Sequence, residues 1–250
     1  MCADPPWPEG VGRVVLDAVD STNAEALRRL PELDGPCWIM ARRQTAGRGR
    51  RGRPWSDPDG NFAASLVLRP GVPAAQSALV SFVAALALHD SLSALTGQPS
   101  AFALKWPNDV LAGGGKVSGI LLEGAGTPSR ADHLIVGIGV NLVRAPATVS
   151  ADAIPAVSLV AVTGTRLGPQ TLLDRLAADF ARRHETLARE GFAPLREAWI
   201  ARAAGLGTEI TARTGHETLR GVFETIDETG ALVLRIGAQR RIVPAADVFF

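Results

Sequence analysis

The chain has 250 residues, which at roughly 150 per domain points to one large domain or a large one with a small appendage. With 46% hydrophobic and 20% charged residues it is neither disordered nor collagen-like. Its formal net charge is only +1, but residues 42–53 hold six arginines and no acid, leaving 20 basic against 25 acidic residues elsewhere, a net of −5; a uniformly basic nucleic-acid binder is disfavoured.

The opening MCADPPWPEG carries acidic residues and three prolines in place of the basic start and apolar run of a signal peptide. No apolar run approaches the roughly 18 residues that a membrane span needs, and the expected compartment is the cytoplasm. Cys2 and Cys37 stand alone, with no CxxC pair and no His at ligand spacing, so they read as reduced thiols. Of the 26 basic residues only Lys105 and Lys116 are lysines, and both fall in one short stretch. Two readings stand: a compact ammonium is wanted there where a planar guanidinium would not serve, or the pair is an accident of composition.

In chain order, Val11 to Asp17 reads as a strand. Asp20-Ser21-Thr22-Asn23 opens a helix, with Thr22-x-x-Glu25 fitting a capping box ahead of Ala26, Leu27 and Leu30. Cys37 to Ala41 is a strand, Gln44 to Gly60 a long Gly- and Arg-rich loop, and Asn61 to Leu68 a strand again. Pro73 to Ala94 has helical apolar spacing with Gly97 just past its end. Strands follow at 101–105, 117–122 and 133–140, the first two joined through Pro107-Asn108-Asp109 and Gly113-Gly114-Gly115. A second long helix enters at Pro169, and 193–203 is helical. After Gly205 come short β segments at 208–213, 218–226, 231–236 and 240–243, a small barrel-like module.

Gly47-Arg48-Gly49-Arg50-Arg51-Gly52 matches GxGxxG, yet the residues beyond it, Arg53-Pro54-Trp55-Ser56, are turn chemistry where a dinucleotide fold needs a helix. Three readings stand for this loop: a phosphate or carboxylate ligand, a nucleic-acid contact, or a solvated basic loop. Asn108-Asp109 suits Mg²⁺ carrying phosphates or an ordinary Asx turn. Gly115-Lys116-Val117-Ser118-Gly119 is not a Walker A loop, since Val110 and Val117 stand where Gly and Ser/Thr are required. A lysine entering a strand there suits a positive point charge near a reacting centre. Gly137-Ile138-Gly139-Val140-Asn141 ends another strand in a way that permits close backbone approach by a ligand. The four histidines are scattered, with no HExxH, GxSxG or triad.

Taken in order, Ser21-Thr22-Asn23, Gln44 to Arg53, Lys105 to Asp109, Gly115 to Glu123 and Gly137 to Asn141 closely resemble the biotin protein ligases, and the resemblance extends over roughly residues 13–250. It implies an α+β fold: a mixed sheet flanked by helices, the class II aminoacyl-tRNA-synthetase-like body of biotin and lipoate ligases, over residues 1–204, then an SH3-like β-barrel over 205–250. It also implies activation of biotin by ATP as biotinyl-5′-AMP and transfer to a lysine of a biotin carboxyl carrier domain. Carried over by motif position, Ser21, Thr22, Asn23, Gln44, Arg48, Gly49, Arg50, Lys116, Gly119, Gly137 and Gly139 bind biotin. Arg50, Arg53, Trp55, Asn108, Asp109 and Asn141 face the nucleotide, with Asp109 toward Mg²⁺, and Lys116 and Arg50 are catalytic.

No nucleic-acid or membrane partner is expected, and a monomer or weak dimer is. Bifunctional members carry an N-terminal DNA-binding domain, whereas about ten residues precede the first strand here, so repressor function is not expected. A relative using lipoate is the nearest rival, and Ser21-Thr22-Asn23 with the arginine loop argues against it. Two departures fall outside the core motifs: Val157 where the family often has Thr, and Ala246 before Asp247 where it often has Gly.

Overall fold

The computed structural model describes residues 5–56, 58–147 and 154–249; Cys2 lies outside them, and Cys37 is a buried free thiol. The elements run β1 Gly12–Val19, α1 Thr22–Arg29, β2 Cys37–Gln44, β3 Phe62–Leu68, α2 Ala74–Ala78, α3 Val80–Thr96, β4 Phe102–Lys105, β5 Asp109–Ala112, β6 Gly115–Thr127 and β7 Arg130–Val140. After these come α4 Leu159–Thr163, α5 Pro169–Glu190, α6 Ala193–Ile200, β8 Glu209–Arg213, β9 Thr218–Ile226, β10 Leu232–Ile236, β11 Gln239–Val243 and β12 Asp247–Phe249. Seven strands form a mixed sheet in the order β1-β2-β3-β7-β6-β5-β4, with β1 and β2 parallel and the other neighbours antiparallel. The last five form an antiparallel sheet in the order β11-β10-β9-β8-β12.

Strand alternation sends most of the large apolar residues of the seven-stranded sheet to one face. Trp38, Met40, Phe62, Ala64, Leu66, Val136, Ile138 and Ile120 meet α3 and α5 there. α3 is apolar around most of its circumference and is buried along most of its length, as such a helix must be. α5 instead presents one stripe, Leu172, Leu173, Leu176, Ala177 and Phe180, and Phe180 meets Trp38 edge to face at 5.9 Å. The opposite face carries α1 on a smaller cluster of Ala26, Cys37, Ile39, Val67 and Ile135, and the rest of that face is left for the site.

The second sheet is welded to the first. Trp106 Nε1 donates to the Gly230 carbonyl at 2.9 Å, Arg196 Nε donates to the Ile226 carbonyl at 2.6 Å, and Phe82 abuts Gly230 so closely that a Cβ there would overlap its ring. Its apolar residues, among them Phe223, Leu232 and Val248, belong to the same buried cluster as Trp38 and α3.

Four expectations change. The capping box at Thr22 does not form: Ser21 is the N-cap, without a side-chain cap bond, and Glu25 pairs with Arg28 and Arg29 on its own helix. Two guanidiniums in the next turn outcompete a single backbone N–H for that carboxylate. Residues 109–112, read as part of a connection, are the strand β5, so two hairpins replace that single connection, and a further short strand, β12, completes the second sheet. The helix read at 73–94 is two segments, ending at Gly97 with φ 70°. Finally, Ala74–Thr96 is long and apolar enough to cross a membrane by length and composition, correcting the reading that no run approaches that length; most of it is buried inside the fold.

Candidate functional site

On the face away from α3, the strand registers line up one residue from each of six strands: Ala41, Ala63, Gly139, Gly119, Asp109 and Lys105. Four small residues therefore make a flat floor, and an acid and an ammonium close one end of it. The Trp55 indole lies on the floor, since a Cβ on Gly139 would come 2.5 Å from Trp55 Cε2 and one on Gly119 would come 3.2 Å from Cζ3. Only glycine leaves room for a ring against the backbone at Gly139.

Lys116 reaches over this floor from β6. Its backbone is fixed by Lys116 N–H donating to the Pro155 carbonyl at 2.8 Å and Val157 N–H donating to the Lys116 carbonyl at 3.0 Å. Its Nζ donates to Asp109 Oδ1 at 2.6 Å and lies 5.9 Å from the Trp55 ring centroid. Lys105 Nζ faces the other oxygen of Asp109 at 3.7 Å and is only 8% exposed. Burial pulls the Lys105 ammonium below the ordinary lysine range, the Asp109 carboxylate works against that shift, and the Lys116 charge adds to it. The two lysines of this chain thus converge on one carboxylate.

Arg50 completes this end. Its Nη1 donates to Asn108 Oδ1 at 3.2 Å, and the Asn108 amide in turn donates to the Ile120 carbonyl. Burial lowers the Arg50 pKa, against the pull of Asp247 and Asp109. Beyond it the loop turns at Arg51, which holds a left-handed φ of 57°, a conformation that costs a non-glycine residue about 1–2 kcal/mol. Arg51 Nη1 and Arg53 Nη2 both donate to Asp247 Oδ2 of β12, at 3.1 and 2.5 Å. Burial raises the Asp247 pKa, but its hydrogen bond from Arg53 and the charges of Arg53, Arg51 and Arg50 carry it below the usual carboxylate value.

At the other end of the floor, Asn23 of α1 sits above Gly137, where a Cβ would overlap its Oδ1. Asn23 Nδ2 donates to Glu123 Oε2 at 2.7 Å, and Ser65 Oγ is 2.5 Å from Asn23 Oδ1 and 2.8 Å from Thr22 Oγ1. Gln44 Oε1 accepts from Thr22 N–H at 2.8 Å and from its hydroxyl at 3.2 Å. Thr22, Asn23 and Ser65 are buried, a set of donors and acceptors suited to a polar head group.

The structure thus brings together Thr22, Asn23, Gln44 and Gly137 at one end, with Ser21 buried beside them as the N-cap, and Arg50, Trp55, Asn108, Asp109, Lys116, Gly119 and Gly139 at the other. Gly49 serves the loop, its N–H donating to the Arg53 carbonyl at 2.7 Å. Three expectations are placed differently. Arg48 is exposed, at a backbone bridge to Pro54. Arg53 turns to Asp247, which draws it across to the second sheet. Asn141 is 1% exposed, with its N–H on the Val117 carbonyl and its carbonyl accepting from Leu159, while its Oδ1 is buried without a partner.

Asp109 opens a strand, where it was expected in a turn. Among the described residues no group of three or more His, Cys, Asp or Glu could cage a metal. Four further residues belong to the site: Lys105, signalled by the rarity of lysine; Ser65, a lone hydroxyl in an apolar strand; Glu123, at the end of the Lys116 motif; and Asp247, distant in sequence from the loop it holds.

A family model described as the biotin/lipoate A/B protein ligase family matches residues 15–141, and one described as the biotin protein ligase C-terminal domain matches residues 205–250. A biotin–[acetyl-CoA-carboxylase] ligase of Paracoccus denitrificans is 53% identical over 238 residues, covering 94% of this chain and 99% of that protein. The bifunctional ligase/repressor BirA of Escherichia coli is 30% identical over 227 residues, covering 90% of this chain and 70% of that protein. Among solved structures, the biotin protein ligase from Aquifex aeolicus in complex with biotin and ATP has a TM-score of 0.80 at 26% identity, covering 95% of this chain and 98% of that one.

Proposed function

Because this chain belongs to the biotin/lipoate A/B protein ligase family, we propose that it is an ATP-dependent biotin ligase working in two steps on the floor between Asn23 and Lys105. In the first step a biotin carboxylate oxygen attacks the α-phosphorus of ATP, forming a P–O bond and releasing pyrophosphate. In the second, the neutral amine of an acceptor lysine attacks the acyl carbon of biotinyl-5′-AMP, forming an amide, giving up a proton and releasing AMP.

The observation that carries this reading is the convergence of Lys116, Lys105 and Arg50 at one end of a glycine floor whose other end is a chain of hydrogen-bonding side chains. Two anions, a carboxylate and a phosphate, repel as they approach, and fixed cations in a partly dry site remove that cost without reorganising. Lys116 bridges the biotin carboxylate and the α-phosphate in the first step and stabilises the departing AMP in the second. Arg50 closes over the phosphate from the loop side. Thr22, Asn23 and Gln44 hold the ureido head group, while Ser21, Gly49, Gly119, Gly137 and Gly139 line its pocket and Arg48, exposed on the loop, closes over it when ligand binds. Trp55, Asn108 and Asn141 face the nucleotide, while Arg53 is engaged by Asp247.

Mg²⁺ enters with ATP as part of that substrate. A single carboxylate, Asp109, whose oxygens already face Lys116 and Lys105, suits a cation that keeps phosphate and water ligands better than one held by protein alone. The acceptor is a biotin carboxyl carrier domain in the cytoplasm, met by a monomer or weak dimer. Residues 1–204 form the catalytic domain and residues 205–250 the C-terminal one. The pairing of Arg51 and Arg53 with Asp247 speaks against nucleic acid as the partner of the basic loop.

The test is exchange of labelled pyrophosphate into ATP with biotin or lipoate as the acid and with Mg²⁺ omitted as a control. Exchange with biotin and Mg²⁺ alone is expected. Exchange with lipoate alone, or with neither acid in a folded protein, overturns the assignment.

A further inference from the structure

The hydrogen bonds at the Asn23 end of the floor have a direction, and Glu123 sets it. A carboxylate only accepts hydrogen bonds, so the Asn23 atom 2.7 Å from Glu123 Oε2 must be the amide nitrogen. That leaves Asn23 Oδ1, also only an acceptor, facing Ser65 at 2.5 Å, and Ser65 spends its one hydrogen there. Ser65 Oγ can then only accept from Thr22, 2.8 Å away. On its other side Thr22 faces Gln44 Oε1, which the Thr22 N–H fixes as an acceptor at 2.8 Å. Whichever neighbour takes it, the Thr22 hydroxyl hydrogen is used inside the protein.

The hydroxyl hydrogens of Ser65 and Thr22 and one amide hydrogen of Asn23 are thus committed inward, and Thr22 Oγ1 keeps lone pairs for a ligand. Thr22, Asn23 and Ser65 are 4%, 3% and 0% exposed, so no bulk water is available to reverse the order at low cost.

We propose that Glu123 is a positioning residue which orients the Asn23–Ser65–Thr22 chain so that the head-group site accepts a hydrogen bond from a ligand N–H, selecting a cyclic urea over acids of similar length that lack one. This rests on the biotin reading of the site. Glu123 does not touch the ligand; it acts through Asn23. A purely structural hydrogen bond would hold α1 against β6 and affect all ligands of the pocket alike, whereas an orienting one discriminates between a ligand that donates and one that does not.

The experiment measures binding of biotin and of a biotin methylated on both ureido nitrogens by calorimetry, with the unaltered protein, Glu123→Ala and Glu123→Gln, each checked for an unchanged melting curve. In Glu123→Ala, biotin is expected to weaken about tenfold, or about 1.4 kcal/mol, while the methylated ligand changes by less than about threefold. Glu123→Gln can offer either an oxygen or an NH₂ to Asn23, so an intermediate ratio is expected and the inference remains testable if the alanine variant folds poorly. In pyrophosphate exchange the loss should fall on KM for biotin, leaving kcat nearly unchanged.

An unchanged biotin-to-methylbiotin ratio in a folded variant, or a fall in kcat at constant KM, overturns the proposal. If the unaltered protein binds neither ligand and supports no biotin-dependent exchange, the ligase reading itself has failed and the role of Glu123 falls with it.

Discussion

Lys116 Nζ donates to Asp109 Oδ1 at 2.6 Å, joining β6 to β5 directly beside the Gly119–Gly139 floor. In the proposed mechanism the ammonium is thereby held where a carboxylate and a phosphate meet. Lys116→Ala should leave the fold intact and lower biotin-dependent pyrophosphate exchange by about 100- to 1000-fold, the usual consequence of deleting one preorganised donor. Lys116→Arg should rescue little, because a planar fork cannot occupy the position of a point charge between Asp109 and Trp55. Turnover within a few-fold of the parent protein in either folded variant would count against Lys116 as the bridging group.

Gly139→Ala tests the floor. The added methyl would come 2.5 Å from the Trp55 ring, and backbone on a central strand cannot retreat, so the indole must leave. Overpacking of this kind costs about 1–3 kcal/mol, which a folded enzyme survives. The expected outcome is a modest loss of thermal stability with a large loss of exchange, and a change in tryptophan emission that vanishes in the background of Trp55→Phe. An alanine variant with normal activity and unchanged emission would show that the ring does not rest on the glycine.

Asp247→Asn tests the clasp between the basic loop and the second sheet. Arg51 and Arg53 are 47% and 65% exposed, so the ion pairs add only about 0–1 kcal/mol to global stability. Their effect is local: the variant should be cut faster by trypsin within residues 48–53 while melting almost normally. Since the Asp247 pKa is depressed in the folded chain, its contribution is complete above the ordinary carboxylate range and is lost as pH falls through the lowered value. Loop cleavage in the parent protein should therefore be insensitive to pH near neutrality. Equal cleavage of variant and parent would falsify the clasp.

His184 gives a pH dependence of the same sign in a higher pH window. It stacks on Phe180 at 5.8 Å in α5, and burial lowers its pKa from the ordinary imidazole value. Between the lowered value and about 6.5 the unfolded chain binds more protons than the folded one, so stability rises with pH across that window and levels off above it. Urea midpoints measured at about pH 5 and about pH 7.5 should differ less for His184→Gln than for the parent chain. Identical differences in the two proteins would assign the slope to other groups.

Much of this site is legible in the sequence because its members are punctuation in strands: Gly119, Gly137 and Gly139 interrupt apolar runs, and Lys116 is one of only two lysines. Their convergence is a matter of register, which places Lys105, Asp109, Gly119 and Gly139 in one row though they span 35 positions of the chain. Ser65 escapes notice because a single hydroxyl in an apolar strand leaves the hydropathy pattern unchanged. The strand β5 is missed because four residues between two turn signals carry too little periodicity to separate from a loop. Asp247 is missed for a physical reason: summing charge along the chain leaves the arginine loop looking unopposed, while the carboxylate that opposes it lies 196 residues from Arg51. The mistaken cap at Thr22 has a related origin, for the motif considers Glu25 and the backbone but not the two arginines one turn on.

One buried cluster runs without interruption from Trp38 in β2, through α3, to Phe223, Leu232 and Val248 of the second sheet. Two sheets therefore share a single melting unit. A domain that owns its core can unravel while its neighbour persists, but here neither sheet can open without exposing side chains of the other, so partly unfolded forms gain no foothold of their own. Heat inactivation and loss of the fold are then one cooperative event.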